Sequence, residues 1–417
     1  MKTKSVKKEI TFIYTDKLEH QCAEPIAKEA EKRGYKVKFS DNIFEKCEIG
    51  FYCQHVNFPQ FSKFSCVMLH DLGQQHGEWP VMWKNEFWNQ FDIALLPSKE
   101  WAAMWHNASC YDFVRPRHGG YFAGWVKADN IYERSFSAEC DEIIKKYGID
   151  TSKKTVLYAP SWEWDNRQLE MIEACKDLNV NLIIKQFPFN PKTFSFQYQI
   201  IADMAEKSKN IPNVFVLDTS INIFNAIQLC DVLVSEESST LYEAMMLDKP
   251  VIAVTDWLIP DALPNPPRLP DFPYDFAIHI KKSEIRDTLL KVISDSAYKE
   301  KITAYRKDNF PNIGNAAKIV MAVLDNVLYG AKNEVPRIDE LPLVPTPKEF
   351  KKSVAARKRV MRLVFIKKNF VDKSRVLLAV WKLLKQIKNN LKNMGGEYSS
   401  IVSSPFVHYE LSFMETA

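Results

Sequence analysis

The stretch DVLVSEESSTLYEAMMLDKPVIAVTDW, residues 231–257, decides the fold of this chain. DVLVS is an apolar run with β-branched residues, EESS is a polar cluster, and LYEAMMLD suits a helix before the second apolar run, PVIAV. This order predicts a strand, a turn, a helix and a strand. Ser238, Ser239 and Thr240 then lie at a strand end and a helix start, where free backbone N–H groups favour an anion. We predict that they bind a phosphate, although such serines also serve simply as a helix cap.

Apolar runs of strand length alternate with helical stretches on both sides of this segment. Near the start, EITFIYTD, HQCAEPIAKEAEKRG and YKVKFSD indicate a strand, a helix and a strand, and IGFYCQH, FSCVMLH, FDIALLPS and CYDFVRP follow as further short strands. From residue 156 the alternation begins again with TVLYAPS, NLIIKQF, NVFVLD, DVLVS and PVIAV. Strands separated by helices form parallel sheets. The sequence therefore predicts an α/β protein with two Rossmann-like parallel sheets.

The length and composition agree with two domains and a tail. The chain has 417 residues, of which 46% are hydrophobic, and this is more than one ordinary core needs. The eight cysteines form no CxxC pair, so neither a zinc site nor a disulfide framework is indicated, and a reducing cytoplasm suits them. The basic start MKTKSVKKEITFIY lacks a long apolar core, and no run of roughly 18 apolar residues occurs, so neither export nor a membrane span is expected.

A strongly basic segment follows an acidic body. Residues 351–392 contain 14 Lys or Arg and one acid, Asp372, although the whole chain has a net charge of only +4. Apolar residues recur there three and four positions apart, Phe370 and Trp381 are available, and this spacing predicts an amphipathic helix. We predict that the helix lies on an anionic membrane surface. The alternatives are packing on the body or on a second subunit, and nucleic-acid binding, which the acidic body and the lack of a binding motif disfavour.

Several stretches resemble the CDP-glycerol glycerophosphotransferase family, the teichoic-acid primases and polymerases. The turn EESS, the pair YE in the next helix and KP before the following strand are similar to the family pattern, as are VLYAPSWEWDNR, LIIKQFPFNP, VMLHDLGQQ and GGYFAGWVKAD. The resemblance covers about residues 60 to 325. It implies a GT-B-like fold, in which two Rossmann-like domains face a cleft.

Four parts of the chain are expected on this basis. An N-terminal acceptor domain covers residues 1–130, and a C-terminal nucleotide-donor domain covers residues 131–330 and ends in the helix NIGNAAKIVMAVLDNVLYG. A linker rich in proline and acids covers residues 331–350. The basic amphipathic helical tail covers residues 351–417.

The strand ends and the resemblance together indicate the donor site. Phe187 stands where the family has a histidine and Glu163 where it has an arginine, so Lys185 or Arg167 is expected to supply the lost positive charge. Asp218 follows a strand and either binds a ribose hydroxyl or caps the next helix. The complete set of candidate donor-binding residues is Ser161, Arg167, Lys185, Asp218, Ser238, Ser239, Thr240 and Glu243.

The resemblance also suggests the catalytic residues. Phosphoryl transfer to a hydroxyl needs a base for the acceptor proton. His70 falls in the family's His-Gly loop and is the candidate base, and Asp71 is the candidate that orients it. An aromatic cluster nearby is expected to be core and helix packing, or else to line an acceptor groove; it consists of Trp79, Trp83, Phe87, Trp88, Trp101 and Trp105.

We expect a GT-B-like transferase, peripheral on the cytoplasmic face of the cell membrane, that uses a CDP-linked polyol phosphate to extend or modify a cell-surface glycopolymer. Its expected partners are the nucleotide-activated donor, a lipid-linked or polymeric glycan acceptor and anionic lipid, with no metal, no further cofactor and no nucleic acid. One alternative is a nucleotide-sugar-dependent glycosyltransferase of surface polysaccharide synthesis. Another class of protein, an inactive scaffold subunit of an assembly complex, would show no thermal stabilisation by any nucleotide.

Overall fold

The computed structural model describes residues 8–15, 17–53, 57–68, 72, 87–132, 134–160, 163, 167–189, 191, 195–236, 238–257 and 276–394. Two parallel sheets organise the part of the chain that precedes the tail. By compactness, the chain divides into one unit of residues 1–74, 88–259 and 270–343, and a second unit of residues 75–87, 260–269 and 344–417. Both sheets belong to the first unit, and each unit is described by itself below.

The first half of the chain forms a six-stranded sheet in which every neighbouring pair is parallel. The run IALL, Ile93–Leu96, is buried at every position, as is typical of a strand covered on both faces of a parallel sheet. The spatial order is β2-β1-β3-β4-β5-β6. The strands are β1 (Glu9–Ile13), β2 (Lys36–Ser40), β3 (Cys47–Tyr52), β4 (Ser62–Val67), β5 (Ile93–Leu96) and β6 (Gly120–Phe122). The helices of this half are α1 (Lys17–Lys32) and α2 (Lys99–Ala108). The next helix, α3 (Arg134–Tyr147), contacts the second half, because the side-chain amide of Asn225 donates to the carboxylate of Glu139 (2.8 Å).

The strand predicted for CYDFVRP is wrong. Residues Asp112–Val114 form a short 3₁₀ turn in which the N–H of Val114 donates to the carbonyl of Tyr111. The strand lies further along the chain, in β6. The run is apolar, but Tyr111 stacks on Phe113 with 5.9 Å between ring centroids, so its aromatic residues pack locally and do not extend along a sheet.

The second half repeats the architecture with another six-stranded parallel sheet. Its order is β12-β11-β10-β7-β8-β9, so β7 and β10 are central strands. The strands are β7 (Lys154–Tyr158), β8 (Val180–Ile184), β9 (Val214–Val216), β10 (Val232–Ser235), β11 (Val251–Val254) and β12 (Ile278–Ile280). The helices are α4 (Arg167–Cys175), α5 (Ser195–Ser208), α6 (Ile223–Leu229), α7 (Thr240–Met246), α8 (Ile285–Ser294) and α9 (Ala297–Asn309).

The next helix, α10 (Ala316–Tyr329), returns to the first sheet. We predicted it as the last helix of the second half, but its buried face joins the core that β1, β3 and β4 form with α1. Gly124 makes room for this return, because its φ is +104° and a Cβ there would lie 2.7 Å from the Cβ of Asn312. Asp129 fixes the start of the helix by accepting N–H groups from Gly314 (2.8 Å) and Ala317 (2.8 Å). The chain therefore crosses between the two sheets twice.

The segment predicted as a linker lies along the edge of the first sheet. The N–H of Ile338 donates to the carbonyl of Gly120 (3.0 Å), and the N–H of Gly120 donates to the fully buried carboxylate of Asp339 (3.0 Å). Arg337 pairs with Tyr121 of β6 in an isolated antiparallel bridge. This contact covers backbone groups of an edge strand that would otherwise be open to another chain.

Residues 348–394, the described part of the tail, are helical, as the spacing of apolar residues predicted. Helix α11 (Lys348–Ile366) continues through a π-helical turn, Lys367–Val371, and helix α12 (Arg375–Met394) follows. Its apolar side chains Leu363, Phe370, Val376, Leu377, Val380, Leu383 and Leu384 are all between 45% and 72% exposed. None of the helices in the described part of the chain has the length and hydropathy that crossing a bilayer requires.

Candidate functional site

The turn after β10 lies where the sequence predicted it, at the carboxyl end of a central strand. The hydroxyls of Ser235 and Thr240 lie 2.8 Å and 3.1 Å from the carbonyl oxygen of Ala159, which directly follows β7. Ser238 is buried, and its hydroxyl accepts the N–H of Thr240 (3.2 Å). The half-buried hydroxyl of Ser239 has no hydrogen-bond partner among the described residues. Ser238 thus serves the fold, and Ser239 offers an open polar group.

Lys185 stands at the carboxyl end of β8, two strand positions from that turn. It is 5% exposed, and its ammonium donates to the main-chain carbonyls of Gln186 (2.8 Å) and Thr219 (2.9 Å). An ammonium has three donors, and within the described part of the chain the third donor of Lys185 has no acceptor. The site therefore holds a buried cation with an unused hydrogen-bond donor.

The surroundings of Lys185 explain why the pKa of its amine is low. Burial lowers the pKa of its amine to about 8, because the charged form loses water. The negative charges of Asp218 and Glu243 raise this pKa, and the positive charge of Lys127 lowers it further. An anion bound at the open donor would therefore restore the charge that burial disfavours.

Asp218 follows β9 and forms a local turn. Its exposed carboxylate accepts the N–H (2.8 Å) and the hydroxyl (2.6 Å) of Ser220, and these bonds lower its pKa. Asn222 caps α6 instead, accepting the N–H of Phe224 at 3.0 Å. The cap predicted as one alternative for Asp218 is therefore wrong, and its contact with a ribose hydroxyl stays a prediction.

Glu163, the residue that replaces the family's arginine, is fully buried in a polar cluster. Its carboxylate accepts hydrogen bonds from the Tyr158 hydroxyl (3.1 Å), the Gln186 side-chain amide (2.8 Å) and the Gln168 backbone N–H (3.3 Å). Burial raises its pKa to about 7, although these bonds and the charge of Arg167 oppose the shift. Arg167, at the start of α4 and itself buried, thus acts on Glu163.

Glu243 forms a contact that sequence reasoning missed. It is 2% exposed on α7, and its carboxylate pairs with the ammonium of Lys127, which comes from the first half of the chain and is 8% exposed. The Lys127 nitrogen also lies 5.7 Å from the centroid of the Phe224 ring. The sequence held one signal: Lys127 is a single cation inside the apolar segment GWVKAD.

The remaining predicted residues fall into three groups: buried tryptophans, the exposed Phe187, and residues that the structure does not describe. Trp88, Trp101 and Trp105 are buried, and Trp88 packs on Trp105 with 5.1 Å between ring centroids, which confirms core packing for this part of the aromatic cluster. Phe187, in place of the family's histidine, is 38% exposed and contacts Phe189 edge-on. His70, Asp71, Ser161, Trp79 and Trp83 lie outside the described residues.

Solved structures of known proteins share this architecture. The wall teichoic acid polymerase TagF is 15% identical over 77% of this chain and 89% of that one, with a TM-score of 0.55. The S. aureus MnaA-UDP co-structure is 12% identical over 79% of this chain and 99% of that one, with a TM-score of 0.53. UDP-GlcNAc 2-epimerase from Neisseria meningitidis, bound to UDP-GlcNAc, is 14% identical over 76% of this chain and 99% of that one, also with a TM-score of 0.53. A search of curated proteins finds no match.

These likenesses confirm the fold class, a GT-B-like protein with two Rossmann-like parallel sheets. Proteins with such open parallel sheets bind their ligands at the carboxyl ends of the strands, but the fold alone does not define a reaction. The family model of CDP-Glycerol:Poly(glycerophosphate) glycerophosphotransferase matches residues 67–259. This match confirms, over these residues, the resemblance drawn from the sequence.

The buried carboxyl of Glu163 leads to a stability prediction. Its pKa in the folded chain, about 7, is raised above the ordinary 4.5, so its contribution to stability is present below about pH 4.5 and is lost as pH rises through 7. Glu163→Gln removes this loss. Between about pH 5 and 8 the free energy of unfolding of the wild type should fall relative to the variant by up to about 3 kcal/mol, measured by urea unfolding.

Glu206→Gln is the matched control, because Glu206 is an exposed glutamate on α5. Its stability should follow that of the wild type at each pH. If the free energy of unfolding of Glu163→Gln and of the wild type changes with pH in the same way, the claim that Glu163 is a buried carboxyl with a raised pKa is wrong.

Proposed function

We propose that this protein transfers a polyol phosphate from a CDP-linked donor to a cell-surface glycopolymer. The family match supports the reaction, and one observation in the structure carries the donor site: the buried ammonium of Lys185, with an open donor at the carboxyl edge of the second sheet. Ligands of open α/β sheets bind at this edge. TagF, a protein of similar fold, has been soaked with CDPG as a variant.

The proposed donor site assigns the phosphates to Lys185 and Ser239. Lys185 contributes charge and Ser239 an uncommitted hydroxyl, whereas Ser238 and Thr240 hold the turn in shape. The charge of Arg167 acts on the buried Glu163, whereas Lys185 stands at a strand end, so we favour Lys185 as the replacement for the positive charge that the family's arginine would supply. Ser161 and Asp218 remain candidates for the same site, and Glu243 acts in it through Lys127.

The proposed chemistry needs a base and a leaving nucleotide. The acceptor hydroxyl attacks the phosphorus next to the polyol, the bond to CMP breaks, and a base takes the hydroxyl proton. His70 is our candidate for the base and Asp71 for its orientation, both from the family resemblance. Fixed positive charge stabilises the departing CMP. The reaction in this form uses the nucleotide-activated donor and no further cofactor.

We also propose that the tail attaches the enzyme to an anionic membrane, where a lipid-linked acceptor is concentrated. The supporting observation is the row of exposed apolar residues on the tail helices, next to the cations of residues 351–392. Each cation adds about 1 kcal/mol of attraction to anionic lipid, and the apolar side chains add a component that salt does not screen. In this proposal the enzyme is a peripheral protein on the inner face of the membrane.

The role of Lys185 gives a test of donor binding. Lys185→Met should weaken CDP binding about 10- to 100-fold, the usual range for a lost hydrogen bond to a charged group. In the wild type the affinity should fall as pH rises above about 8, because the free amine loses its proton there and an anion prefers the charged form. The variant should lose this pH dependence. The measurement is titration calorimetry with CDP between about pH 7 and 9.

Lys154→Met is the matched control, because Lys154 is exposed at the amino end of β7 and pairs with Asp231 at 2.9 Å. It removes one positive charge from the opposite edge of the same sheet. A constant wild-type affinity across this pH range, or equal CDP affinity in wild type and Lys185→Met, would contradict the proposed donor site.

The membrane proposal is tested on the exposed leucines of α12. The double variant Leu377→Glu, Leu384→Glu should lose most of its flotation with vesicles that contain anionic lipid, because both side chains are about half exposed and their apolar contact with lipid is removed. Wild type should float with these vesicles, less in high salt, and should not float with neutral vesicles. Leu290→Glu, at an exposed leucine of α8, is the control. Equal flotation of the double variant and the wild type would show that the tail does not bind lipid through this face.

A further inference from the structure

Two lysines and one carboxylate are buried together near the carboxyl edge of the second sheet. Lys127, Lys185 and Glu243 are 8%, 5% and 2% exposed. Glu243 pairs directly with Lys127, and both of these charges act on Lys185. Asp218 also attracts Lys185, but its carboxylate is exposed and bonded to Ser220. Glu243 is therefore paired with one buried ammonium group and attracts a second one through space.

This arrangement is a poor device for stability. Removing two ions from water costs several kcal/mol each, and a buried ion pair generally stabilises a fold no more than apolar residues of the same size. The second lysine adds repulsion to that cost. Buried charges of this kind cluster instead at functional sites, where they meet a charge on the ligand.

The position of Lys127 is fixed by its neighbours in the chain and by the ring of Phe224. Its neighbours Val126 and Ala128 are fully buried, and Asp129 accepts N–H groups at the start of α10. The Phe224 ring of α6 lies beside the ammonium. The first half of the chain thus delivers one cation, in a defined place, to the strand ends of the second half.

We propose that Lys127 is a phosphate-binding residue of the donor site and that Glu243 is the carboxylate with which the donor's phosphates compete for it. The inference rests on the proposed function and extends it, because it adds a residue from the first half of the chain to a site otherwise built by the second half. A diphosphate is the ligand that fits, since it has enough negative charge for two ammonium groups. Bound donor then links the two sheets through charge, and release of the phosphates returns Lys127 to Glu243.

The test compares variants of the two partners, because a structural ion pair and a competition predict different signs. Lys127→Met should weaken the binding of CDP and of inorganic pyrophosphate by at least about tenfold, as for a lost charged hydrogen bond. Lys127→Arg should retain most of the affinity, since it keeps the charge. Glu243→Gln should raise the affinity for both probes, because the competing carboxylate is gone while both cations stay. Affinities are measured by calorimetry on the full chain.

Each result decides one question. Lys154→Met, which removes an exposed charge from the other edge of the sheet, should bind both probes as the wild type does. If Glu243→Gln weakens binding as Lys127→Met does, or if Lys127→Met binds like the wild type, the pair is structural and the inference is wrong while the proposed function stands. If the wild type itself binds no CDP, the proposed function fails and takes this inference with it. Should Lys127→Met not fold, the signs for Lys127→Arg and Glu243→Gln still decide.

Discussion

The ammonium of Lys185 lies where water hardly reaches, and the proposed donor site depends on that constraint. Two main-chain carbonyls hold it, burial lowers its pKa, and one donor stays open. A buried cation is costly unless an anion is available, and inside the protein Asp218 and Glu243 attract it. A phosphate is the natural anion outside it. The proposal therefore rests on the phosphates of the nucleotide and not on contacts with the nucleoside.

The two crossings of the chain between the sheets position the buried charges near Lys185. Asp129 accepts N–H groups at the start of α10, so the end of the first half and the returning helix are bonded to each other. Lys127 precedes Asp129 by two residues and reaches Glu243 from there. The position of Lys127 therefore depends on the packing of α10 in the first core.

Local patterns were sufficient to predict much of this from the sequence. Apolar runs such as VIAV specified their own strands, and the sequence SEESST specified a turn at a strand end, because burial and helix capping are decided by neighbours in the chain. Contacts between distant residues could not be predicted in this way. Lys127 and Glu243 are 116 positions apart, and the pairing of Ile338 with Gly120 depends on the sheet edge being there first. For the run CYDFVRP the local pattern predicted a strand that does not form, because its aromatic residues pack on each other instead.

The identity of the nucleotide released during turnover tests the central claim most directly. Full-length protein would be incubated with acceptor membranes and either CDP-glycerol or a UDP-linked sugar, and the nucleotide products separated by chromatography. Transfer of a polyol phosphate breaks the diphosphate and must release CMP, so we predict CMP from CDP-glycerol, only with acceptor present, and slower release with Lys185→Met. Release of UDP from the sugar donor without any CMP would contradict the account and make the protein a glycosyltransferase; no release from either donor would make it a scaffold.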